Sequence, residues 1–163
     1  MEITIQAAYE EKEAVRSLFA EYTDMLVDQA PAFAGYLKQQ NFDRELAHLE
    51  EKYGLPWGRL YLLRADGRPA GCIALKKLDE TRCEMKRLYV RPAYRGRGLA
   101  RMLVEKLLNE ARGEGYEAML LDTFPFLTSA IALYRAVGFR EIPSYNNNPM
   151  EDLVYLEKNL NFT

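Results

Sequence analysis

The spacing of apolar residues predicts a chain in which strands and helices alternate. After a short strand at 2–7, apolar side chains recur three and four residues apart over 11–27 and again over 42–53, as on the buried face of an amphipathic helix. The intervening residues 28–40 contain a proline and a glycine, so we expect a looser connection there.

The middle of the chain predicts an antiparallel meander. Three β-type runs cover 59–64, 69–78 and 82–90. The first two are joined by Asp66-Gly67, a strong hairpin signal, and the last two by a turn at Asp79-Glu80.

The second half begins with a strong helical pattern over 97–112, followed by an apolar strand at 118–121. Because this helix connects two strands, we expect those strands to be parallel and the crossover to be right-handed. The remaining predicted elements are a short helix capped by Thr128 or Ser129 and ending at Val137, a strand at 139–142, a turn-rich loop at 143–149 and a strand at 152–158.

These elements predict one α/β domain over 1–163, with a mixed, mostly antiparallel sheet of about seven strands and about four helices. The chain has 163 residues, 48% of them hydrophobic, and a net charge of −2, which gives no basic field to attract nucleic acid or a membrane surface. Its first residues lack the segments of a signal peptide, so we expect a cytoplasmic protein. With one histidine and two separated cysteines, we expect no metal site.

A glycine-rich turn joins the meander to the main helix. Gly96 and Gly98 let the backbone approach a ligand, and the helix start that follows offers free amide groups and the positive end of its dipole. Arg95, Arg97 and Arg101 add positive charge. These features predict a phosphate-binding site.

Several kinds of site would suit this turn. The lysine and hydroxyl residue of a P-loop are absent, which excludes that class. A dinucleotide fold fits Gly96, Gly98 and an acidic residue at Asp122, although Arg101 replaces the third glycine. A tight turn with solvated arginines is a third interpretation.

The residues Val90-x-Pro92-x-x-Arg95-Gly96-Arg97-Gly98-Leu99-Ala100 closely resemble the acyl-CoA signature of the GNAT superfamily of N-acetyltransferases. The segment 130–139 resembles a second block of that superfamily, and the order of elements is similar over nearly the whole chain. The resemblance implies transfer of an acetyl group from acetyl-CoA to a primary amine, on a small molecule rather than a protein, by direct attack through a tetrahedral intermediate. Two alternatives stay open, a non-catalytic acyl-CoA-binding or sensing module and an NADP-binding oxidoreductase.

The resemblance also implies where the cofactor binds. The amides of the turn would hold the CoA pyrophosphate, and pantetheine would pair with the edge of the third meander strand. The residues expected to bind the cofactor as a whole are Leu88, Tyr89, Val90, Arg95, Gly96, Arg97, Gly98, Leu99, Ala100, Arg101, Ser129 and Tyr134. Leu127 stands where the family usually has an asparagine, so Thr128 or Ser129 would have to replace that contact.

Two residues are candidate catalysts. Tyr134 would hydrogen-bond or protonate the leaving CoA thiolate. Glu84, or a water that it orders, would take the proton of the amine. Glu84 lies six residues before Val90, so a regular strand would direct both side chains to one face.

The acceptor site is less defined by the sequence. Tyr22, Arg87, Asp122 and Tyr145 are its candidate residues, and Arg87 could hold an acceptor carboxylate if it faces the pocket. Homodimers are common among GNAT-like proteins, and the C-terminal strand is the edge we expect to pair.

Overall fold

The computed structural model describes residues 1–39, 41–146, 148, 150 and 152–161, which form seven strands and six α-helices. The strands are β1 (Ile3–Ala7), β2 (Arg59–Ala65), β3 (Arg68–Lys77), β4 (Arg82–Val90), β5 (Ala118–Thr123), β6 (Arg140–Ile142) and β7 (Val154–Asn159). The helices are α1 (Lys12–Gln29), α2 (Phe33–Gln39), α3 (Phe42–Ala47), α4 (Leu49–Tyr53), α5 (Leu99–Gly113) and α6 (Thr128–Ala136).

All seven strands form one mixed sheet in the order β1-β2-β3-β4-β5-β7-β6. Only β4 and β5 pair in parallel among these neighbours, because α5 carries the chain from the end of β4 back to the start of β5. The predicted fold class is therefore confirmed. The expectation that the C-terminal strand is a pairing edge is wrong, since β7 lies between β5 and β6.

The sheet separates two apolar layers. On one face, Leu103, Val104 and Leu107 of α5 pack against the sheet. On the other, Leu18 and Phe19 of α1 pack with residues of α4 and the meander. No helix within the described ranges combines the length and apolar character needed to cross a bilayer.

The helices depart from the expected pattern between α1 and β2. A helix, α2, occupies part of the predicted connection 28–40, and its Phe33 and Leu37 are buried against Phe124 in a small third cluster. The predicted second helix is divided at His48 into α3 and α4. The predicted cap of α6 is wrong, because Thr128 is already helical and, in the part of the chain that the structure describes, no side chain caps that end. Asn147 and Pro149 of the predicted loop lie outside the described residues.

The parallel strands β4 and β5 separate soon after they meet. Their ladder has three pairs and ends where Glu84 faces Leu120. Beyond that point, no strand formed by the described residues lies beside the β4 edge that faces β5, and a V-shaped gap opens in the middle of the sheet.

A β-bulge lies in β4 along this gap. Cys72 faces Tyr89 but Ala74 faces Lys86, so β4 carries one extra residue, and Arg87 has a φ of +60°. The extra residue reverses the alternation of side chains. Met85 and Val90 therefore share one core cluster although they are five residues apart. The expectation that Glu84 and Val90 share a face is accordingly wrong.

Candidate functional site

A large cavity opens beside the gap between β4 and β5. It encloses about 650 Å³ and is lined by the end of β4, the glycine-rich turn and the first residues of α5 and α6. Of the predicted cofactor-binding residues, it is lined by Leu88, Tyr89, Val90, Arg95, Gly96, Gly98, Leu99, Ala100, Arg101, Ser129 and Tyr134. We call it the outer cavity.

The turn presents free backbone donors to this outer cavity. Gly96 and Gly98 have φ values of +78° and +76°, which only glycine adopts without strain, and α5 begins immediately afterwards. The backbone amide of Met102 is the first after the turn to donate a hydrogen bond, to the carbonyl of Gly98 at 3.2 Å. Within the described residues, the amides of 96–101 have no hydrogen-bond acceptor. A phosphate or pyrophosphate fits such a helix start.

The three arginines of the turn are placed differently. Arg95 lies on the wall of the outer cavity, where its Nε donates to the carbonyl of Val90 at 3.0 Å. Arg101 also reaches this wall and pairs with Glu105 at 2.9 Å. Arg97 lies away from the cavity lining and contacts the Met1 sulfur at 3.1 Å, so the structure does not bring it together with the others.

The end of β4 offers a further set of backbone groups. The amide of Arg91 donates to the carbonyl of Ala70 on β3, so the adjacent Val90 directs its own amide and carbonyl toward the gap. The bond from Arg95 to the Val90 carbonyl agrees with that direction. An extended ligand chain could pair with this edge as a short strand would.

Tyr134 lies where the outer cavity meets a second, narrower space. Its side chain is largely buried, its ring packs edge-on against Phe139, and its hydroxyl has no hydrogen-bond partner among the described residues. Burial raises the pKa of this phenol, and Tyr22 raises it further. The hydroxyl is therefore protonated at neutral pH and can act as a hydrogen-bond or proton donor.

The narrower space, which we call the inner cleft, lies between the strands and helices α1 and α2 and encloses about 50 Å³. Tyr22, Leu88 and Tyr134 line both spaces and form their shared wall. The rest of the inner cleft is lined by Leu26, Phe33, Tyr36, Met85, Lys86, Arg87, Leu121, Asp122, Thr123, Phe124, Asn148 and Leu153. Of the predicted acceptor residues, Tyr22, Arg87 and Asp122 are thus brought together.

The two carboxylates near this cleft are held by consecutive residues of the loop after β6. The Tyr145 hydroxyl donates to Glu84, and the Asn146 side-chain amide donates to Asp122 at 2.9 Å. Burial and the Glu84 carboxylate raise the pKa of Tyr145, so it remains a donor. Glu84 and Tyr145 lie off the cleft lining, whereas Asp122 lies on it.

Arg87 faces inward but is already paired. Its Nε and Nη2 each lie 3.0 Å from a carboxylate oxygen of Glu45, whose side chain is fully buried. Lys52 and the Tyr53 hydroxyl also donate to Glu45. Burial alone would raise the pKa of Glu45, but the two cations outweigh it and lower that pKa to about 2. The charge of Arg87 is therefore compensated within the protein.

Several contributors to this site could not be predicted from the sequence. No recognisable sequence motif contains Glu45, Lys86, Asn146 or Phe33. Each of them reaches the site through tertiary packing. Only Phe33 left a detectable signal, since Leu37 follows it at helical spacing. At the start of α6, Leu127 packs against the cluster around Phe124, and Ser129 lies on the outer cavity.

Comparison with known proteins gives consistent matches. Residues 12–139 match the model of the acetyltransferase (GNAT) family. An uncharacterised N-acetyltransferase of Schizosaccharomyces pombe is 40% identical over 119 residues, which are 72% of this chain and 73% of that protein. An uncharacterised N-acetyltransferase of Dictyostelium discoideum is 30% identical over 98% of this chain and 100% of its own length.

The solved structures agree in fold. The PaiA N-acetyltransferase of Thermoplasma acidophilum, crystallised in complex with coenzyme A, superposes with a TM-score of 0.75 over 98% of this chain and 99% of its own. At 16% identity, this similarity shows the shared fold alone.

Proposed function

The chain belongs to the acetyltransferase (GNAT) family, and from that premise we propose that it moves the acetyl group of acetyl-CoA to the primary amine of a small molecule. The observation that carries this proposal is the shared wall of the two cavities. An acyl thioester entering from the outer cavity and an amine entering from the inner cleft would meet at Tyr134 and Leu88.

The outer cavity suits coenzyme A. The unpartnered amides of 96–101 and the guanidinium of Arg95 match a pyrophosphate. The edge of β4 at Val90 offers an amide and a carbonyl to the amides of pantetheine. Together they would place the thioester beside Tyr134.

Transfer then needs two proton movements. The amine nitrogen attacks the thioester carbonyl, and loss of its proton leaves a neutral amide. The C–S bond breaks, and the sulfur leaves as a thiolate. Tyr134 lines both cavities, and its hydroxyl is the donor that would stabilise or protonate that sulfur.

For the proton of the amine, two carboxylates are available. Asp122 lies on the cleft lining, and one of its oxygens has no hydrogen-bond partner among the described residues, so we assign it direct contact with the amine. Glu84, the candidate from the sequence, reaches the cleft only through neighbours such as Lys86. Its role as the base stays a prediction that paired variants can test.

The proposal is tested by incubating the protein with acetyl-CoA and a panel of primary amines while thiol release and product mass are followed. We expect thiol release matched by an amine that gains one acetyl group. Tight binding of CoA by calorimetry without thiol release from any amine would instead support a non-catalytic CoA-binding module.

A further inference from the structure

The inner cleft is lined by several polar groups that have no hydrogen-bond partner among the described residues. They include the hydroxyls of Tyr22 and Tyr134, the ammonium of Lys86 and one carboxylate oxygen of Asp122. Polar groups in a largely buried site are normally paired, so a cleft with several such groups is shaped for a polar ligand.

Lys86 is the most informative of these groups. Its side chain is 16% exposed, and its nearest anion is Glu84, at 3.9 Å, too far for a hydrogen bond. Glu84 also accepts the Tyr145 hydroxyl. Because Arg87 is compensated by two hydrogen bonds to Glu45, Lys86 is the cation of this lining that donates no hydrogen bond to an anion of the described residues.

Lys86 and Asp122 face each other across the gap between the strands. The last pair of the parallel ladder is Glu84 with Leu120, so Lys86 and Asp122 stand two residues beyond it at the same level of β4 and β5. They lie too far apart to form an ion pair with each other. A positive and a negative group are thus held apart on opposite sides of one opening.

We propose that the acceptor is a small amino acid, whose amine is held by Asp122 and whose carboxylate is held by Lys86. This inference rests on the proposed function and names its substrate class. Each charge of such a zwitterion finds the opposite charge on the protein.

The opposite side of the inner cleft determines which side chain the acceptor amino acid can have. Leu26, Phe33 and Phe124 supply apolar surface, and the phenol ring of Tyr36 lies beside them. The cleft is narrow, about 50 Å³. These walls favour a short aliphatic side chain, such as those of alanine, valine and leucine.

The test compares amino acids with the amines that lack only the carboxylate. L-alanine, L-valine and L-leucine are paired with ethylamine, isobutylamine and isopentylamine, and kcat/KM for thiol release is measured for each. We expect each amino acid to exceed its amine by about tenfold or more, since a charge-assisted hydrogen bond would be lost. The variant Lys86→Met should remove this preference, whereas Lys12→Met, at an exposed site on α1, should keep it.

Binding is measured in parallel by calorimetry on the CoA-loaded protein, so that the acceptor class is judged even where turnover is absent. The proposal is supported if amino acids bind the Lys86→Met variant about tenfold more weakly than they bind the unmodified protein. Equal kcat/KM or equal affinity for an amino acid and its amine overturns it, and so does a preference that survives Lys86→Met. Absence of thiol release with amino acid binding intact would reject the proposed transfer but not the site.

Discussion

Arg87 and Glu45 form a bidentate ion pair across the protein interior, with the guanidinium on the bulge of β4 and the carboxylate on α3. Arg87 has a φ of +60°, a conformation that costs free energy for a residue with a side chain. The pair therefore stabilises the irregular backbone that borders the gap.

Removing one partner of this pair should destabilise the fold strongly. In Glu45→Gln the Arg87 charge stays buried without its counter-ion, and we expect a loss of about 3 kcal/mol in the free energy of unfolding. Urea unfolding at pH 7 measures it. The exposed Glu51, which pairs with Arg44, is the matched site, and Glu51→Gln should change stability little. An equal loss of unfolding free energy in Glu45→Gln and Glu51→Gln would contradict the prediction that burial makes the Arg87–Glu45 pair the more important one.

The same carboxylate, that of Glu45, should make the free energy of unfolding depend on pH in the acidic range. The pKa of Glu45 is lowered from 4.5 to about 2, so its stabilisation is complete above about pH 4.5 and is lost as the pH falls toward 2. Urea unfolding at a series of pH values between 6 and 2.5 should show this loss in the unmodified protein. Glu45→Gln should flatten that part of the profile, and an unchanged slope would refute the assignment.

Tyr134→Phe should lower turnover without weakening CoA binding. The variant keeps the ring packed on Phe139 but removes the hydroxyl, and we expect kcat to fall about a hundredfold. Stopped thiol-release assays and CoA calorimetry measure the two effects separately. Tyr116→Phe is the control, because that hydroxyl donates to the carbonyl of Trp57 away from both cavities. An unchanged kcat in Tyr134→Phe would rule out the Tyr134 hydroxyl as the proton donor.

Asp122→Asn and Glu84→Gln should differ in their effects on kcat and KM for the acceptor, measured from initial rates of thiol release. If Asp122 contacts the amine, its variant lowers kcat and raises KM for the acceptor, because the amide cannot take a proton. Glu84→Gln should change both constants less, since Glu84 lies off the cleft lining. The reverse pattern would return the role of base to Glu84.

Gly98→Ala should weaken CoA binding. A Cβ at Gly98 meets no atom of the described residues within 4 Å, so the change acts through its φ of +76° and displaces the amides of the turn rather than creating a clash. We expect about a tenfold loss of CoA affinity by calorimetry. Gly35→Ala, in the interior of α2 and equally free of neighbours, should leave that affinity unchanged and raise stability slightly.

The sequence predicted the order of elements well because most of them have a clear apolar period. The meander, α5 and the turn at Gly96 and Gly98 all stand where expected. Helix α2 was missed because Pro31 and Gly35 are typical of a loop. In the structure, Pro31 precedes the helix and Gly35 is tolerated within it, where Phe33 and Leu37 pack on Phe124.

The candidate site was predicted unevenly for a physical reason. Most of the residues predicted to bind the cofactor lie close together in 88–101, so a local motif identifies them. The inner cleft instead joins residues from α1, α2, β4 and β5, which only the folded chain brings together. The bulge at Arg87 has no signature in the sequence, and it reversed the face expected for Glu84 relative to Val90.

Tyr22, Leu88 and Tyr134 belong to the lining of both cavities, and this has a thermodynamic consequence. A molecule bound in the outer cavity becomes part of the surface that a second molecule meets in the inner cleft. The two binding free energies are then coupled, and each ligand must change the affinity of the other by the same factor. Measuring the affinity for CoA with and without an acceptor would thus report on acceptor binding even when no acetyl group is present to be transferred.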